Sequence, residues 1–98
     1  MGAYCLVDVR EVMDPAGWAD YRSKVGATVA AHGGRTIVVD ANPQVIEGDW
    51  RPRQLIHLEF PSREAMQGWW DSPEYRAIVP IRTASARVDV VFADGVQG

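Results

Sequence analysis

The extended segments of this chain are apolar on both sides, and that constrains the fold more than any other feature. Ala3 to Val9 sets Tyr4 and Leu6 on one side and Cys5, Val7 and Val9 on the other. Arg35 to Asp40 runs through Ile37-Val38-Val39, and Arg87 to Ala93 sets Val88, Val90 and Phe92 against Val91 and Ala93. A sheet with one wet face alternates apolar and polar residues, so both faces of a sheet built from these strands must leave water.

The segments between the strands carry helical signals. Asp14-Pro15 reads as an N-cap followed by proline at the first helical position. Trp18, Tyr21, Val25 and Val29 then mark one helix face, and Gly33-Gly34 ends it. Asn42-Pro43 is a turn, and Gln44 to Glu47 is expected to extend the sheet as a short hairpin arm closed by Gly48-Asp49. Gln54 to Phe60 is the next strand. Ser62 caps a helix bearing Met66, Trp69 and Trp70, and Ser72-Pro73-Glu74 opens a shorter helical segment that Pro80 is expected to break or kink.

The order is β-α-β-β-α-β, the split β-α-β plan of ferredoxin-like domains. The expectation is one α+β domain over residues 1–98, with a four-stranded antiparallel sheet and both helices on one face. The other face is left bare, and each exposed Val or Ile there forgoes roughly 1.5–3 kcal/mol of burial. A chain of 98 residues also buries only roughly 60–65% of its unfolded surface. Both arguments predict a two-fold homodimer through the sheet faces; the alternative is a monomer whose third strand, with His57 and Glu59 on one side, keeps the open face partly wet.

Charge and motifs narrow the function classes. The net charge is -3 and the nearest approach to a basic cluster, Arg51-Pro-Arg53, follows Glu47 and Asp49, so nucleic acid is not an expected partner. Asp8 and Arg10 interrupt the first apolar run, which argues against a signal peptide or membrane span and makes a cytoplasmic location the expectation. Cys5 is a single cysteine in an apolar run, expected to be a buried hydrophobe. The two histidines, His32 and His57, stand in no metal-ligand spacing, and Gly33-Gly34 leads into a strand rather than a phosphate-binding helix. No cofactor or metal is expected.

A set of short motifs spans nearly the whole chain: Asp14-Pro15, Tyr21, Gly33-Gly34-Arg35, Glu47-Gly48-Asp49-Trp50, Pro52-Arg53, Glu59-Phe60-Pro61-Ser62, Ser72-Pro73-Glu74-Tyr75 and Pro80-Ile81-Arg82. Together they resemble the small bacterial proteins grouped as domain of unknown function 1330. The resemblance implies a dimeric α/β barrel, a superfamily that includes cofactor-free monooxygenases, muconolactone isomerases, stress-response proteins and haem enzymes. It supplies no catalytic residues, and fold likeness alone does not transfer a reaction.

The aromatic residues give the candidate site. Four Trp and three Tyr gather around the helices. Trp69 and Trp70 lie about 100° apart on a helix, so one is expected in the core and the other at a pocket or rim. Tyr75, Ile78, Val79 and Arg82 share a face if the helix survives Pro80. These residues suggest an apolar cleft lined by Tyr21, Trp70 and Tyr75, with Arg82 or Arg35 anchoring a carboxylate or enolate. The competing expectation is that the aromatics are core and interface contacts and the arginines pair with Glu59, Glu47 or Asp49. His57 and Glu59 point to one strand face, as an acid–base pair or as a satisfied polar contact. The Glu47-to-Arg53 loop either reaches over a partner or packs locally through Trp50. Three functions are open: a cofactor-independent enzyme, monooxygenase- or isomerase-like, acting on a small aromatic or enolisable metabolite through Tyr21, His57 or Arg82; a non-catalytic small-molecule-binding module; and a dimeric accessory protein.

Overall fold

The structure is a computed structural model and describes residues 2–96. Its elements are β1 (Ala3–Val12), α1 (Pro15–Ala30), β2 (Arg35–Asp40), β3 (Gln54–Phe60), α2 (Arg63–Asp71), α3 (Pro73–Ser85) and β4 (Ala86–Asp94). The strands form one antiparallel sheet in the order β2-β3-β1-β4. This is the expected α+β, ferredoxin-like architecture.

The local signals mostly act as their chemistry requires. Gly33 ends α1 at φ +76, in the left-handed region that glycine enters without a Cβ clash. Ser62 caps α2 by accepting from the Ala65 N–H, and Ser72 caps α3 by accepting from the Tyr75 N–H. Asp14 occupies the N-cap of α1, but its side chain makes no capping bond. The Met13 and Asp14 amides instead donate to the Ser85 carbonyl and tie that end of α1 to the end of α3.

Two expectations fail. Gln44–Glu47 forms no strand. β2 ends at Asp40, opposite Leu55 on β3, and the chain then turns through Pro43 and a left-handed Gly48, so the arm has no edge to pair with. Pro80 does not break its helix: α3 runs unbroken from Pro73 to Ser85. Pro80 is solvent-exposed, so water can take the carbonyl that its missing N–H leaves unpaired. β1 is also longer than its apolar run. Past a bulge between Val9 and Glu11 it stays paired to β4, with Glu11 opposite Arg87.

The core lies between helices and sheet. Cys5 and Val9 of β1, with Ile56, Leu58 and Phe60 of β3, face α1, α2 and α3 through Trp18, Tyr21, Val29, Met66, Trp69 and Tyr75. On the opposite face, Leu6 lies between His57 and Val91, and Asp8 between Leu55 and Asp89. No helix covers this face, and Val91 is 58% exposed. The Trp50 indole folds onto it and donates to Asp8 at 2.9 Å, so this loop packs locally against its own sheet.

Candidate functional site

A cavity of about 100 Å³ lies in the helix-facing half of the domain. Trp18, Tyr21, Arg22, Val25 and Gly26 of α1 roof it, Trp69, Trp70 and Tyr75 close one side, and Cys5, Ile56, Leu58 and Val90 form its floor. Three of the residues expected to line a cleft, Tyr21, Trp70 and Tyr75, border this cavity. Trp69 is fully buried and Trp70 half-buried, the division that their 100° separation implies.

The aromatics form a continuous cluster. Trp18 stacks on Tyr21 at 5.5 Å, Tyr75 lies 4.3 Å from Trp69 and 5.5 Å from Trp70 between ring centroids, and Phe60 and Phe92 extend the ends. The Trp69 indole N–H is satisfied by the Thr28 hydroxyl at 3.0 Å. The Tyr21 and Tyr75 hydroxyls share a hydrogen bond of 3.0 Å. Only one of them donates in that bond, so the pair keeps a second O–H proton free for a ligand.

Arg82 stands at the wall of this cluster. The unbroken α3 puts it on the Tyr75 face, with its guanidinium carbon 5.9 Å from the centre of the Trp70 ring. Its Nε is buried and has no hydrogen-bond partner. Two groups that feel its charge are neutral: burial pushes the Cys5 thiol up to about 12 and pushes Tyr21 well above the usual tyrosine range, with the Tyr75 hydroxyl adding to the latter. Among the described residues, the cavity lining holds no Asp, Glu or His side chain to accept a proton near neutral pH.

Arg35 and His57 lie elsewhere. Arg35 donates from Nε to Glu59 at 2.8 Å, and Tyr4 donates to the other Glu59 oxygen at 2.9 Å. These bonds, that from Arg35 first, hold the Glu59 carboxyl below its ordinary range. Arg35 thus meets the expected partner Glu59 and is across the sheet from the cavity. His57 lines a separate hollow on the bare face with Leu6, Asp8, Trp50, Leu55, Asp89 and Val91. Glu59 is engaged by Tyr4 and Arg35 rather than by His57. Among the described residues, no group of three His, Cys, Asp or Glu side chains converges as a metal site.

Sequence reasoning missed Trp18, Arg22 and Gly26 as cavity residues. Trp18 stood in the apolar row of its helix, whereas nothing in the sequence marked Arg22 or Gly26.

A ferredoxin-like sheet with an aromatic, arginine-flanked cavity under its helices defines the class. The chain belongs to the family described as domain of unknown function (DUF1330), which it matches over residues 2–96. Among solved structures it is similar to a protein of unknown function from Rhodopseudomonas palustris, with 19% identity, TM-score 0.78, and 99% of this chain and 84% of that chain covered. It is also similar to a dimeric ferredoxin-like protein of unknown function from Thermobifida fusca (13% identity, TM-score 0.66, 96% and 91% covered). A third is SnoaB, a cofactor-independent oxygenase from Streptomyces nogalater (10% identity, TM-score 0.60, 99% and 93% covered). These identities support likeness of fold alone. No curated protein matches the chain. No helix among the described residues is long and apolar enough to cross a membrane.

Proposed function

We propose that the chain is a homodimeric small-molecule protein that holds the anionic form of a small aromatic or enolisable acid in the Tyr21–Trp70–Tyr75 cavity. The observation that carries this reading is the buried, unpartnered Nε of Arg82, which does not itself line the cavity but stands over Trp70, a residue that does. A buried donor without an acceptor costs about 1–3 kcal/mol, and an arriving carboxylate or enolate would recover it. The spare proton of the Tyr21–Tyr75 pair supplies a second donor. Size limits the ligand: an apolar cavity of about 150 Å³ binds one benzene, so about 100 Å³ does not enclose a whole ring, an aromatic acid must leave part of itself in the mouth, and a fused polycycle is excluded.

The bare sheet face supports pairing with a second copy. Leu6, Leu55 and Val91 line an uncovered hollow there, and the Oδ1 of Asp8 is buried without a hydrogen-bond partner. Face-to-face packing would remove the apolar surface from water and could bring Asp8 a donor.

A second reading, a cofactor-independent enzyme, is favoured by the fold likeness to SnoaB. In that reading Arg82 and the tyrosine pair stabilise an enolate that forms on the substrate. With no base in the cavity, such a substrate must be acidic enough to ionise as it binds.

A thermal-shift screen with small carboxylic acids and quinones tests both. Stabilisation by acids but not by the matching amides is expected. Equal response to acids and amides would remove Arg82 from the ligand's recognition. Product analysis of each hit then separates enzyme from binder.

A further inference from the structure

The mouth of the cavity follows from one edge of α1. Trp18, Arg22 and Gly26 recur at every fourth residue and therefore form a single row along the helix. All three border the cavity, and exposure rises along the row: Trp18 is buried, Arg22 half-buried and Gly26 exposed. Facing them on the edge strand β2 is Thr36, which also borders the cavity and is exposed. Other lining residues, Cys5, Tyr21 and Tyr75, are buried. The cavity therefore meets solvent between α1 and β2.

Two features of this mouth have no structural explanation. Gly26 sits inside a helix, where glycine weakens the element, yet a Cβ built on it would meet nothing within 4 Å. No close packing demands the missing side chain, and the result is an open gap. Arg22 leans on Trp18, its guanidinium carbon 5.9 Å from the ring centre, and makes none of the ion pairs among the described residues. It is a free cation at the rim of an apolar hole in a chain of net charge -3.

We propose that the ligand enters over Gly26, between α1 and β2, and that Arg22 is the specificity-determining residue of this mouth, drawing small planar monoanions toward Arg82. The inference rests on the anion-binding reading of the cavity. A fixed positive charge beside low-dielectric walls raises the local concentration of anions and their association rate, and salt weakens this effect. Arg22 therefore acts on arrival and Arg82 on retention.

The test is stopped-flow tryptophan fluorescence, since Trp18, Trp69 and Trp70 border the cavity. The probes are crotonate and benzoate, with crotonamide and benzamide as neutral counterparts. Gly26→Phe is expected to fold normally and to slow association about tenfold or more, with Gly26→Ala expected to slow it less. Arg22→Gln is expected to slow association of the acids about tenfold at low salt, remove its salt dependence and leave dissociation unchanged. Arg82→Met is expected to speed dissociation instead. Wild-type association rates in Gly26→Phe and Arg22→Gln, alongside lost retention in Arg82→Met, would place the entrance elsewhere while the cavity reading stands. Failure of the unmodified protein to bind either acid would remove the cavity reading and this proposal together.

Discussion

Replacing Arg82 with Met separates a binding role from a structural one, because the two predict opposite signs. The Nε of Arg82 is buried without a partner, which costs the folded protein about 1–3 kcal/mol. Its position 5.9 Å from the Trp70 ring returns about 0.5–1 kcal/mol for a partly exposed cation. Met keeps most of the aliphatic stem packed while discarding the polar group. The net expectation is that Arg82→Met is more stable by about 1 kcal/mol, or about 4–8 °C in melting temperature for a domain of this size. Binding moves the other way. A hydrogen bond to a charged group is worth about 1.5–3 kcal/mol, so the affinity for benzoate should fall about 10- to 150-fold. Urea unfolding reads the first effect and titration calorimetry the second, both at matched protein concentration because dimerisation would couple to stability. A variant destabilised by more than about 1 kcal/mol, or one that binds benzoate as well as the parent, would refute the reasoning.

Other substitutions test the frame around the site. A Cβ on Gly34 would fall 2.5 Å from Phe60 Cε1 and 2.8 Å from Val29 Cγ1, so Gly34→Ala should lose about 1–3 kcal/mol in chemical denaturation. Gly26→Ala meets nothing and should gain about 0.5–1 kcal/mol by the same measurement. Trp69→Ala opens the core beneath the cavity and should cost about 3–5 kcal/mol, enough to leave a large unfolded fraction by circular dichroism. Glu59 has its carboxyl held below the ordinary value by Arg35 and then Tyr4. A depressed folded-state value means that this stabilisation is present above the unfolded-state value of about 4.3 and is lost as pH falls below it. Glu59→Gln should flatten the acid limb of a stability–pH profile, and an unchanged limb would show that the Glu59 contacts contribute nothing.

The sheet was legible because its strands carry unambiguous chemistry. β2 and β3 have the bounds expected of them, Arg35–Asp40 and Gln54–Phe60, around their Val, Ile and Leu residues. The C-terminal end of β1 was not legible, since Arg10 and Glu11 look like loop residues and the strand continues past Val9 only because β4 offers a partner, Arg87 facing Glu11. The Gln44–Glu47 arm shows the reverse: extended-looking residues form no strand without an edge to pair with. Pro80 was read from its local rule, whereas its exposure on α3 decides the outcome. In the cavity, the aromatic residues Tyr21, Trp70 and Tyr75 were found because large rings at helical spacing imply a shared buried face. Arg22 and Gly26 escaped notice because an arginine and a glycine on a helix carry no apolar signal. Their meaning comes only from what stands opposite them. Arg35 and Arg82 could not be told apart in sequence, because what divides them is which face of the sheet each one reaches.

The central claim is that the unpartnered Arg82 donor serves a small anion in the aromatic cavity. A crystal structure of the protein grown with benzoate tests it most directly. The account predicts the carboxylate within hydrogen-bond distance of Arg82 Nε, with the ring among Tyr21, Trp70 and Tyr75. A cavity filled by its own side chains, with Arg82 Nε bonded to a protein carbonyl and benzoate absent or bound outside, would contradict it.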